Sequence, residues 1–189
     1  NCATLRARYA VVHTSKKTII RNQKPNMRKI SFILFILLLT LCIAQAAYYY
    51  PLLPDRVASH FGGSGRPDAW SNKASFLRSY LFVVAFVAFL FHGIGALLPK
   101  LPDKLINLQN KAYWLSPERR NDTFAFLSRW FLWLGSATFL LLLDGYHQAL
   151  RVNMGSASAL EHPLTSILVY LIFTTLWIGG LIVKFMRKT

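Results

Sequence analysis

The chain has 189 residues, 54% of them hydrophobic and 15% charged, with a formal net charge of +15. That length sets one domain, and a charged share well under the roughly one quarter of a soluble domain excludes an ordinary soluble globule. The excess of basic residues does not point to nucleic acid, because its placement is that of the cytoplasmic loops of a membrane protein.

Residues 1–26 are polar, basic and without a clear period, and begin with Asn1. Met27-Arg28-Lys29 and the apolar run behind them read as a natural start. Residues 1–26 are therefore expected to be a disordered upstream extension, and 27–189 a four-helix transmembrane domain. Cys2 falls in the leader and Cys42 in the first apolar run. They sit on different levels of a membrane, which argues against a disulfide, and they make no zinc pattern.

No charged residue lies between Lys29 and Asp55, between Arg78 and Lys100, or between Glu161 and Lys184. A fourth uncharged run, Trp130 to Leu143, ends at Asp144. Crossing the hydrocarbon core takes about 20 apolar residues, so spans are predicted at about 30–50, 77–98, 128–150 and 163–186. The first has a competing reading: Arg28-Lys29, a Leu-rich run and Ala44-Gln45-Ala46 also describe a cleaved signal peptide. Tyr48-Tyr49-Tyr50 suits an interfacial aromatic belt and favours a retained helix.

Between the first two spans, Pro51, Pro54, Gly62-Gly63, Gly65 and Pro67 punctuate the chain densely. Val57 to Phe61 is predicted to be extended, followed by a Gly-rich turn and a return through Trp70, a small hairpin on the membrane surface. Pro99 ends the second span. Residues 101–115, with Tyr113-Trp114, suit a short helix on the inner surface. Ser116-Pro117-Glu118 reads as a helix start, with Ser at the N-cap and Pro at the first helical position. One helix is expected from about 117 to 150, then an outer loop around Gly155, then a fourth helix opened by Pro163. Of the 22 Lys and Arg, 17 fall before the first span, between the second and third, or after the fourth. By the positive-inside rule both termini and the middle loop are cytoplasmic. The fold class is thus an all-α membrane protein of four transmembrane helices, N-in/C-in, with a structured extracytoplasmic loop between helices 1 and 2.

Asp144 is the costliest residue, since an acid within a span is paired or functional. Arg78 is a candidate partner, and His147, three residues on, shares its helix face. A structural ion pair and a proton or ligand site are the two readings. His92, nearer the inner end of the second span, reads more readily as an interhelical hydrogen bond than as a relay. Gly93-x-Gly95 and Gly179-Gly180 are packing signals. Asp55, His60 and Asp68 share the outer loop and have the chemistry for a divalent metal, but their spacing fits no standard pattern. No nucleophile frame, HExxH or P-loop is present, so neither an enzyme nor a cofactor is expected.

The outer loop reads Leu53-Pro54-Asp55, then His60-Phe61, then Gly65-Arg66-Pro67-Asp68, then Lys73. The middle loop reads Asn110-Lys111-x-Tyr113-Trp114-Leu115-x-Pro117-Glu118-Arg119-Arg120. Over about residues 30–80 the sequence resembles a bacterial membrane domain of unknown function. It is similar there to the N-terminal part of SdpI-type proteins, which give immunity to a secreted peptide toxin and signal its presence. The chain departs from that family in its Gly62-Gly63-Ser64 turn and in having four predicted helices where the immunity proteins have six. The resemblance implies a multi-pass protein of the bacterial inner (cytoplasmic) membrane that senses, or protects against, a peptide or an envelope stress. Pro54, Asp55, His60, Phe61, Gly65, Asp68 and Lys73 would meet the ligand outside. Tyr113, Trp114, Glu118, Arg119 and Arg120 would meet a cytoplasmic regulatory partner or anionic lipid. Two alternatives stand beside it. One is a small-solute or proton transporter component using His92, Asp144 and His147, which would require oligomers. The other is an uncharacterised membrane protein with a structural or partner-binding role.

Overall fold

In the computed structural model residues 27 and 29–187 are described; the expected upstream extension lies outside them. Among these residues four helices are long and apolar enough to cross a membrane: α1 (Lys29–Leu52), α2 (Lys73–Lys100), α3 (Arg120–Asn153) and α4 (Pro163–Met186). They mark a multi-pass membrane protein. The fourth uncharged run and the Asp144 that ends it lie within one helix, α3.

Each boundary has a local cause. Pro51 turns the end of α1 into a 3₁₀ segment, Tyr50–Leu52, because its ring cannot continue an α-helix. Pro99 does the same at the end of α2, in Leu98–Lys100. Pro163 occupies the first turn of α4, where its missing N–H costs nothing. Ser116 does begin the turn that leads into α3: its carbonyl accepts from the N–H groups of Arg119 (3.0 Å) and Arg120 (2.9 Å). Regular helix starts only at Arg120, three residues later than Ser116-Pro117 suggested.

Between α1 and α2 lies a two-stranded antiparallel hairpin, β1 (Arg56–Phe61) and β2 (Pro67–Asn72). The hairpin expected from the Gly and Pro spacing is therefore present. It runs directly into α2, because Asn72 both ends β2 and caps the helix, its Oδ1 accepting from the Ser75 N–H at 2.8 Å. That is why α2 begins at Lys73 and not near residue 77. The pairing slips twice, between Ala58 and His60 and between His60 and Phe61. Such a bulge breaks the strict in–out alternation of a strand. Val57 and Ala58, adjacent in sequence, are consequently both buried, while Ser59 and His60 are both exposed.

The core runs between α1, α2 and α3 and closes under the hairpin. Phe35, Leu38, Cys42 and Ala46 of α1 meet Val84 and Val87 of α2, Leu132, Phe139 and Leu150 of α3, and Leu53 and Val57 below the strands. Tyr80 and Tyr146 stack at 3.7 Å between ring centroids, with Phe76 against Tyr146 at 5.3 Å. Midway, α2 contains one π turn, Phe89–Gly93, an added residue in the helical period.

The tightest approach is at Gly135 of α3. A Cβ there would stand 2.6 Å from Phe35 Cε2 and 2.8 Å from Phe91 Cβ. Of the small residues read as packing signals, Gly95 meets Ser128, whose Oγ donates to the Gly95 carbonyl at 2.8 Å. Gly180 lies against Trp130, Gly179 faces open space, and the atoms nearest a Cβ on Gly93 belong to Phe89 of its own helix. At the end away from the hairpin a smaller cluster joins Ile106, Leu115, Phe124, Leu127 and Phe185. The connecting segment 101–115 carries two helical turns, Asp103–Leu105 and Lys111–Trp114, in place of one short helix.

Candidate functional site

The hairpin is built as a platform fixed to the bundle. The Asn153 side chain at the end of α3 forms a two-way clamp on Ala58: its Oδ1 accepts from the Ala58 N–H at 2.6 Å, and its Nδ2 donates to the Ala58 carbonyl at 3.0 Å. This supplies partners to a backbone segment that is buried and would otherwise leave polar groups unsatisfied. The turn is fixed as well. Gly65 has φ +76°, and a Cβ on it would lie 2.9 Å from the Leu160 carbonyl oxygen. The Gly65 carbonyl accepts from the Leu160 N–H at 2.9 Å. Gly65 thus serves the turn and the docking of the loop that precedes α4.

What the platform presents is charged and aromatic. His60 Nδ1 lies 2.5 Å from Asp68 Oδ1 across the two strands, with both side chains exposed. Trp70 is half exposed, and the Arg56 guanidinium lies 5.9 Å from its ring centre. At the base of the hairpin Lys73 Nζ lies 3.0 Å from Asp55 Oδ1 and 5.7 Å from the Tyr50 ring centre, and donates to the Leu53 carbonyl at 3.4 Å. The seven loop residues singled out from sequence therefore divide. His60 and Asp68 form one pair, with Phe61 beside them half-buried. Asp55 and Lys73 form a second pair at the other end of the strands, near the exposed Pro54, and Gly65 is buried. Asp55 does not join His60 and Asp68, and among the described residues no group of three His, Cys, Asp or Glu is placed to hold a metal.

Inside the helices the polar residues also separate. Asp144 accepts from Gln148 Nε2 and from Ser166 Oγ, each at 2.7 Å. The candidate partner Arg78 does not pair with it: Arg78 Nη2 donates to Ser75 Oγ at 3.1 Å, on its own helix. Asp144 and Gln148 are four apart and lie on the face of α3 that meets α4, not the face that meets α2. His147 points elsewhere, its ring 6.4 Å from that of Tyr49 in α1. His92 lies against Phe32 and Phe35, at 5.7 and 6.4 Å between ring centres. The three do not form one path.

At the opposite end, several residues expected to face a partner bind this chain. Trp114 Nε1 donates to the Phe185 carbonyl at 3.1 Å, and Asn110 Nδ2 donates to the same oxygen at 3.0 Å. Arg120 donates to the carbonyls of Pro99 (3.1 Å) and Leu101 (3.3 Å) and pairs with Asp103 at 3.2 Å. Arg119 stacks over Tyr113 at 4.1 Å and is exposed, as is Glu118.

The platform and its two flanking helices coincide with a recognised sequence unit. Residues 35–82 match the family model described as a domain of unknown function, DUF1648. No curated protein and no solved structure matches the chain. The DUF1648 segment takes in most of α1, the whole hairpin and the first ten residues of α2. Its structural supports lie beyond it. Asn153, Leu160 and Gly135 all belong to the later part of the chain, so the segment is completed by α3 and the loop that follows.

Proposed function

We propose that this chain is a cell-membrane protein with both termini in the cytoplasm, whose extracytoplasmic hairpin senses or protects against a peptide or an envelope stress. The orientation is supported by the sequence, in which 17 of the 22 Lys and Arg fall before the first uncharged run, between the second and third predicted spans, or after the fourth. The observation that carries the recognition role is the build of the hairpin. A surface held at Ala58 and Gly65 from beneath leaves His60, Asp68, Trp70 and Arg56 outward. Ordering such a surface in advance lowers the entropic cost of binding. The likeness of the loop to SdpI-type immunity proteins supports a peptide as the ligand, and the exposed Glu118 and Arg119 leave a face for a cytoplasmic partner.

The test is survival of cells lacking the protein against a panel of membrane-active peptides, with wild type, His60→Ala or Asp68→Ala supplied back. Deletion is expected to lower the inhibitory concentration of at least one peptide by about tenfold, the equivalent of 1.4 kcal/mol of recognition. Wild type restores it and the two variants do not. Unchanged survival throughout would overturn the peptide reading.

Asp144 favours a second reading, a component for proton or small-solute movement, because the partners it meets, Gln148 and Ser166, are neutral. Proton flux into vesicles carrying the protein is then expected to fall at least about tenfold in Asp144→Asn, as loss of an essential ionisable group requires. Equal flux in both would remove it.

A further inference from the structure

At the end of the bundle away from the hairpin, α1, α2 and α3 line a half-open cavity of about 560 Å³. Lys29, His92 and Arg129 line it together with Phe32, Phe91 and Leu132. Three basic side chains thus meet an apolar and aromatic wall, and among the described residues no carboxylate lines the cavity. Asp122, seven positions before Arg129 on α3 and about 10 Å along the helix, lines a neighbouring cavity with Lys184, and Arg129 borders both cavities.

The depth of these groups follows from helix length. α3 has 34 residues, about 51 Å at 1.5 Å each, against a hydrocarbon core about 30 Å thick. Part of α3 must therefore stand outside the core, and Arg129 is the last charge before the uncharged run Trp130 to Leu143. Lys29 opens α1 at the same end. Both groups reach the cavity from the end where the apolar runs of α1 and α3 begin, within side-chain reach of the headgroup layer that flanks the hydrocarbon core. The π turn Phe89–Gly93 places His92 on the same wall, while the Ser128–Gly95 contact holds α2 and α3 together beside it.

We propose that this cavity binds the phosphate of an anionic phospholipid headgroup, with Lys29 and Arg129 as its cationic clamp. His92 supplies a ring N–H donor, and an acyl chain lies along Phe32 and Phe91. Basic pockets between helices near the cytoplasmic surface suit such headgroups. Free phosphate shares the anionic chemistry but makes no use of the aromatic wall. The site rests on the four-helix membrane reading and is independent of the peptide reading.

The full chain, purified in detergent, would be titrated with phosphatidylglycerol, phosphatidylcholine or inorganic phosphate. Bound lipid would be counted by native mass spectrometry and stability followed by melting temperature. Phosphatidylglycerol is expected to saturate at one tight site and raise the melting temperature, while the other two leave it unchanged. The double variant Lys29→Gln/Arg129→Gln is expected to weaken that site at least about tenfold. Lys100→Gln/Lys104→Gln, which removes the same charge from the same end outside the cavity, keeps it. The charge-keeping pair Lys29→Arg/Arg129→Lys guards against a folding defect and is expected to retain binding. Equal loss in both neutral pairs, equal affinity for phosphatidylcholine, or failure of the charge-keeping pair in a folded protein would overturn the site. Saturation by inorganic phosphate alone would overturn its assignment to lipid.

Discussion

Gly135→Leu is expected to prevent assembly of the bundle. Even a methyl group at this position would lie 2.6 Å from the Phe35 ring and 2.8 Å from Phe91 Cβ. The first neighbour is the far part of a ring and can tilt, but Phe35 is 1% exposed, and Phe139 packs on it with ring centres 5.1 Å apart. The second sits at the root of its side chain, so relief requires α2 itself to move. Overpacking a filled core costs about 1–3 kcal/mol, while Gly to Ala in a helix returns up to about 1 kcal/mol. With that return made in full, Gly135→Ala should lose up to about 2 kcal/mol and lower the melting temperature by up to a few degrees. Leucine adds three more carbons to the same gap and exceeds what the site can absorb. Cys42, which is fully buried, supplies the readout, since its thiol should react with a maleimide in the leucine variant and stay protected in wild type. Pairing Gly135→Ala with Phe35→Leu should recover part of the loss, but not the part set by Phe91. A leucine variant that keeps Cys42 protected and melts with wild type would show the close approach to be absent.

Asn153→Ala should free the hairpin without unfolding the helices. It removes the acceptor for the Ala58 N–H and a donor to the Ala58 carbonyl, at a backbone position with 3% exposure. Leaving buried polar groups unmade costs about 1–3 kcal/mol. Hydrogen exchange at Ala58 should therefore rise roughly five- to hundred-fold, with amides in the centre of α3 unchanged. Asn153→Asp keeps an oxygen for the Ala58 N–H but gives up the donor, and should fall between the two. Uniform acceleration along the chain in Asn153→Ala would mean that Asn153 stabilises the whole fold and does not specifically clamp the hairpin.

The elements were legible where the sequence carries its own punctuation. Pro51, Pro99 and Pro163 act on their immediate neighbours, so each marks a boundary correctly without any tertiary information. The hairpin was readable for the same reason, from Gly62-Gly63, Gly65 and Pro67. What escaped was every feature that depends on how a helix is rotated about its axis. Asp144 and Arg78 both lie toward the hairpin end, and level alone suggested a pair; the face of α3 that carries Asp144 is turned toward Ser166 of α4. Gly135 is a lone glycine amid apolar residues, and only the two phenylalanines brought against it reveal its role. Nothing in the local sequence marks Asn153, because its partner is a backbone 95 positions away. At the candidate site the residue types were identified, but their grouping was not: the bulge beside Ser59 sets His60 with Asp68 and leaves Asp55 to Lys73.

The main core draws on α1, the hairpin, α2, α3 and Met154, and among the described residues takes nothing from α4. Ribosomes make the chain from its amino end, so every contributor to that core has been synthesised before Pro163 is added. The main core can therefore close without α4 in place. α4 packs beside that core, through Ser166 at one end, and at the other its Phe185 completes the smaller cluster. The final helix is in that respect a latch laid across a body whose main core it does not enter.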